Sequence, residues 1–160
     1  MALKFKYAAG GSTTVVSLAA SLANGANTYN GLTNCTHNLL DNSSDKYPHC
    51  RFTWEATDTF GAAPTAGGTI DIYMTPQDVD GTSDETPEPG SSDILYLGQY
   101  IGSIVLDNQD VATRKSVVIP NCLLGITSAR FNWVNNSGQT VSYSSNPITL
   151  KATPLTFEDA

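Results

Sequence analysis

The chain has 160 residues, enough for one domain with a sizeable core, and 40% of them are hydrophobic. Only 14% are charged, against about 25% in an ordinary globular domain, and Ser, Thr, Asn and Gly fill the gap with a strand-and-turn composition. Eight Lys+Arg against fifteen Asp+Glu leave a net charge of -7, and no apolar run approaches the ~18 residues of a membrane helix; this excludes general nucleic-acid binding, membrane spanning, coiled coil and disorder.

Residues 1–11 form a basic-apolar arm in which Leu3, Phe5 and Tyr7 alternate with Lys4 and Lys6. Gly10-Gly11 behind it is a flexible joint. No basic n-region followed by an apolar stretch marks a signal peptide, so folding in a reducing cytoplasm is expected. The five residues Leu3, Lys4, Phe5, Lys6 and Tyr7 are read as an interface that adds to an exposed strand edge of a neighbouring subunit. The two lysines would be drawn to an acidic partner. The same alternation also fits a first strand of the chain's own sheet.

Thr13 to Leu22 is the next strand, although Val16 to Leu22 also fits a short helix. Beyond it come Cys35 and His37 in a polar segment, then His49 and Cys50. These four are the ligand types of tetrahedral zinc, but the spacing is wrong for small zinc modules, and His49 and Cys50 face opposite sides of one strand. The same geometry disfavours a Cys-His nucleophilic pair, and neither GxSxG nor HExxH occurs. With Cys122 there are three cysteines, a poor disulfide framework, and Cys50 and Cys122 read as small buried hydrophobes. Sequons at Asn34, Asn42 and Asn135 read as chance in a Ser/Thr-rich chain. The expectation is therefore no enzyme, no metal and no cofactor.

His49 to Ala56 shows the clearest period of two: Cys50, Phe52, Trp54 and Ala56 point one way, His49, Arg51, Thr53 and Glu55 the other. A connection of Pro and Gly over 60–68 leads to Thr69 to Pro76, with Ile70, Ile72 and Met74 on one face. Gln77 to Asp93 is an acidic loop whose Asp78, Asp80, Asp84, Glu85, Glu88 and Asp93 invite a calcium reading. An EF-hand would need Gly at Ser83 and Glu at Pro89, so a solvated loop is preferred. Leu95 to Leu106 (broken at Gly98 or Gly102), Arg114 to Ile119, Ser128 to Val134, Thr140 to Tyr143 and Ile148 to Thr153 complete the strands. Asn135-Asn136-Ser137-Gly138 is a turn, and residues 155–160 are a short acidic tail. Strands at this spacing predict an all-β, antiparallel β-sandwich or jelly roll over residues 12–154. Phe52, Trp54, Ile70, Ile72, Phe131, Trp133, Ile148 and Leu150 are its expected core. Tyr73, Tyr96, Tyr100 and Tyr143 are the tyrosines left to face outward.

Two segments resemble small β-sandwich structural proteins of tailed bacteriophages. The first is Ala63-Pro64-Thr65-Ala66-Gly67-Gly68-Thr69-Ile70-Asp71-Ile72-Tyr73-Met74-Thr75-Pro76, followed by Asp80-Gly81-Thr82. It is similar to that family's Pro-x-Ala-Gly-x-Thr-hydrophobic-Asp-hydrophobic-Tyr strand and Asp-Gly-Thr turn. The second, Val134-Asn135-Asn136-Ser137-Gly138-Gln139 leading to Ile148 to Thr153 and Pro154, is similar to its Asn-Asn-x-Gly-Gln hairpin. The resemblance spans about residues 50–155, gives no match N-terminal to that, and departs from the family in the longer acidic loop. It implies a non-enzymatic virion protein: a capsid decoration (cement) protein on the outer surface of the head, bound to the major capsid protein and assembled as a dimer or trimer. A tail or head-fibre adaptor, or a carbohydrate-binding module for host attachment through outward tyrosines, is the alternative.

Overall fold

The computed structural model describes residues 3–28, 34–44, 46–57, 60, 62–77, 98–108 and 113–159. Among the described residues the regular elements are β1 (Leu3–Tyr7), β2 (Thr13–Leu18), β3 (Cys35–His37), β4 (Leu40–Asp41), β5 (His49–Ala56), β6 (Thr69–Pro76), β7 (Gln99–Val105), β8 (Thr113–Ile119), β9 (Ser128–Asn136) and β10 (Ile148–Asp159). One antiparallel sheet runs β3-β2-β10-β5-β8, with β1 also on β10; the other runs β4-β9-β6-β7. The two pack face to face as a β-sandwich, as the alternation predicts.

The core forms because each central strand sends every second side chain inward. All eight expected core residues are fully buried. Within the first sheet Phe52 and Trp54 stand opposite Ala152 and Leu150; within the second Ile72 and Met74 stand opposite Trp133 and Phe131. Across the gap Phe52 meets Phe131 at 5.1 Å and Trp54 meets Trp133 at 5.7 Å, both edge to face. That geometry sets the positive ring edge against the negative ring face.

Where the structure departs from simple alternation, a local cause is visible. Residues Val16 to Leu18 belong to strand β2 and not to a helix. Leu150 pairs with Val16 and Lys151 with Thr14, so Val15 is an extra residue and both valines are buried. The expected strand Thr140 to Tyr143 reduces to one bridge, Val141 to Leu22. The short strands β3 and β4 are additions, too brief to show a period. Gln77, the first residue of the expected acidic loop, is buried and donates its N–H to Ser128 O at 3.0 Å. Residues 78–93, with all six loop carboxylates, lie outside the described residues.

The largest departure is at the termini. The N-terminal segment follows the second of its two readings, a strand of the chain's own sheet, and pairs with the expected acidic tail, Leu3–Tyr7 against Leu155–Asp159. Strand β10 runs through Pro154, which lacks an N–H but still serves the ladder: its carbonyl accepts Ala8 N–H at 2.9 Å.

Candidate functional site

β10 has different partners along its length. Its first half lies between β2 and β5; β5 begins at His49, opposite Leu155, and beyond that point the ladder continues as a two-stranded β1–β10 ribbon. Alternation puts Phe5, Tyr7, Leu155 and Phe157 on the outward face, where His49 joins them from β5. Leu155 is fully buried, whereas Phe5, Phe157 and Tyr7 remain 51%, 39% and 44% exposed. The rings touch one another. Phe5 lies 5.0 Å from Phe157 and 6.2 Å from Tyr7, and His49 sits edge-on to Phe157 at 4.7 Å. His49 Nδ1 accepts the Asn121 main-chain N–H at 2.9 Å, which orients the ring.

The opposite face of the ribbon is polar. Lys4 and Lys6 are exposed there, in register with Glu158 and Thr156. A cleft of about 170 Å³ behind it is lined by Lys6, Lys46, Tyr47, Pro48 and Thr156. The structure thus brings four of the five expected interface side chains, Lys4, Phe5, Lys6 and Tyr7, to one edge ribbon; Leu3 is placed by its backbone pairing with Asp159. Phe157 and His49 complete the aromatic face and were not anticipated. The usable signal was the alternation of Leu155 and Phe157 about Thr156, which continues the Ile148 to Thr153 pattern past Pro154.

The residues weighed for zinc or nucleophilic chemistry fall in different places. Cys35 and His37 share a face of β3, with Sγ 3.8 Å from Nε2. Burial pushes the Cys35 thiol up to about 11, and it points to Thr28 O at 3.4 Å. A thiol held protonated at neutral pH is a poor nucleophile. His49 is on the outer face of the first sheet and Cys50 is in the core. Burial raises Cys50 well above its ordinary range and takes Cys122 to about 11, with the Cys50 main-chain amide directed at the Cys122 sulfur. Among the described residues, no group of three or more His, Cys, Asp or Glu side chains converges to hold a metal ion. Tyr73 and Tyr100 do lie together on the outer face of the second sheet, 5.5 Å apart; Tyr96 is outside the described residues. Asn42 and Asn135, the asparagines of two of the sequons, are buried and structural: each side-chain amide donates to two main-chain carbonyls.

Comparison with protein-family models and with curated proteins returned no match to this chain.

Proposed function

We propose that the chain is a non-enzymatic structural protein of a tailed-bacteriophage virion, a decoration protein that binds the major capsid protein on the outer surface of the head and stabilises it. The observation that carries this reading is the β1–β10 ribbon: a contiguous aromatic face left open to solvent at the end of a sheet, with lysines behind it. The resemblance of the 63–76 and 134–139 segments to phage structural proteins supplies the class of assembly. Covering the three half-exposed rings on docking would contribute about 2 kcal/mol each by area, before the cost of association. The lysines and the 170 Å³ cleft favour an acidic segment of the capsid surface, which steers encounter despite the net charge of -7. Among the described residues β1 pairs with β10 alone, and its other edge would offer main-chain hydrogen bonds to an added strand.

The test is the mass ratio of this chain to the major capsid protein in purified particles. A fixed ratio near one copy, or one trimer, per capsid-protein symmetry unit supports decoration. A few copies per particle assigns the chain to a tail or head-fibre adaptor instead, and its absence from particles overturns the reading.

A further inference from the structure

The tyrosine pair on the second sheet is built by a local irregularity. β7 pairs Gly102 with Ile72 and Tyr100 with Tyr73, so Ile101 is the extra residue of a bulge. Ile104 is buried, and the Cα of Gly102 faces the Ile119 side chain so closely that an added Cβ would lie 2.8 Å from it. Strict alternation would send Tyr100 inward with these two residues. The bulge instead turns it to the outer face, 54% exposed, against the half-buried Tyr73. The same bulge sets Tyr100 beside Ser103, three positions on, with their hydroxyls 2.7 Å apart.

A fixed polar array follows from that contact. Ser103 donates its hydroxyl to Asp71 Oδ1 at 2.5 Å, so the Tyr100 hydroxyl donates to Ser103. Asn136 Nδ2 donates to Asp71 Oδ2 at 2.6 Å. Tyr73 packs on Val134 beneath the surface, which supports the ring pair from below. An open aromatic ring thus stands next to a carboxylate, an amide and a hydroxyl held in place by one another.

We propose that this face of the four-stranded sheet binds a neutral saccharide, with the Tyr100 ring stacking on the C–H face of a sugar and Asp71 and Asn136 meeting its hydroxyls. Each carboxylate oxygen keeps a second lone pair for a donated hydroxyl proton, and the amide offers both donor and acceptor. Because the side chains are already tied together, little rotamer freedom is lost on binding. Asp71 and the net charge of -7 disfavour an anionic sugar. A cationic ammonium ligand is less suited, because the two rings meet edge to face at 62° and leave one open face instead of a box around a charge. The site is on the sheet opposite the β1–β10 ribbon, so it neither requires nor blocks docking through that ribbon.

The experiment is a glycan array of neutral bacterial, plant and animal oligosaccharides probed with the full chain displayed in multiple copies on beads, so that weak single sites register through avidity. Titration calorimetry with the best-bound oligosaccharide then compares variants. Tyr100→Ala and, independently, Asn136→Ala should each weaken binding at least tenfold, about 1.4 kcal/mol, while Tyr100→Phe, which keeps the ring, should retain most of it. Asn136 and Tyr100 are exposed, so circular dichroism and melting should match the parent protein. Silence across the neutral glycans overturns the proposal. So does binding unchanged by either alanine variant, or preferential capture of a trimethylammonium or lysyl probe.

Discussion

The main-chain N–H of Thr65 donates to the carbonyl oxygen of Ser137 at 2.8 Å, tying the loop before β6 to the hairpin after β9. Gly68 lies against the same residue: an added Cβ would stand 2.7 Å from Ser137 O. Gly138 takes φ +81° beside Thr65, and Asn135 holds the hairpin by donating to Leu22 O and Gln139 O while accepting from Ser137 N. The two motifs that stand out in the sequence, some seventy residues apart, are therefore one joint in space. Their Gly and Asn positions follow from close backbone approach and tight-turn geometry.

Gly68→Ala should destabilise the protein by about 1–3 kcal/mol, because the new methyl meets rigid main chain. Gly10→Ala, which meets nothing within 4 Å, should stay within about 0.5 kcal/mol of the parent. Urea unfolding of the two variants side by side measures the difference. Equal midpoints would show that the joint yields freely.

Trp54→Ala should cost about 3–5 kcal/mol, since the ring is fully buried against Trp133 and Phe60 and its removal leaves a cavity between the sheets. The Trp54 and Trp133 substitutions should not be additive, because the first removes the second's partner. A double-mutant cycle by denaturant unfolding reads this directly, and simple additivity would mean that the edge-to-face contact contributes nothing.

The sandwich and its core were legible because β5 and β6 alternate without interruption, so Phe52, Trp54, Ile70 and Ile72 declare their face. The ribbon was only half legible. Phe5 and Tyr7 show an apolar row, but whether such a row is a free arm or an edge strand depends on whether a partner strand exists. That partner was hidden because Pro154 reads as a strand end, although a proline that only accepts can stay in a ladder. Tyr100 stands among the tyrosines left over from the core, but neither its outward face nor its place beside Tyr73 follows from alternation, since a bulge at Ile101 changes parity without any sequence mark besides nearby glycines. Asn42 and Asn135 look like ordinary loop residues; only tertiary contact shows them as caps for distant carbonyls.

Alkaline pH should erode stability through the buried thiols. An unfolded chain ionises its cysteines near 8.5, whereas burial holds Cys122 to about 11 and Cys50 well above its ordinary range. The unfolded state thus sheds protons first. The contribution is complete below about pH 8.5 and is lost as pH rises toward the native values, by up to about 1.4 kcal/mol per pH unit for each thiol still protonated in the fold. Urea midpoints between pH 8 and 10.5 should fall more steeply in the parent than in Cys122→Ala. Parallel slopes would show that the thiol is not the titrating group.

Deletion and point substitution separate the ribbon's contribution to the fold from its proposed docking. β1 gives five residues in register with β10, and Leu155 is fully buried between Tyr7 and His49 in that register. Deleting residues 1–9 should therefore lower the melting midpoint of the isolated protein, since it strips a strand from β10 and uncovers Leu155. It does not isolate docking. Phe5→Thr and Phe157→Thr, by contrast, replace half-exposed rings with a residue that keeps strand geometry, so each should cost little stability. If the aromatic face docks on the capsid, the paired Thr variant should remain folded yet co-sediment with undecorated heads at least tenfold more weakly. Raising the salt concentration should weaken the parent's co-sedimentation as well, because in the proposed docking Lys4 and Lys6 would steer it toward an acidic surface. Undiminished co-sedimentation of the folded Thr variant would remove the ribbon from the interface and, with it, the observation on which the decoration reading rests.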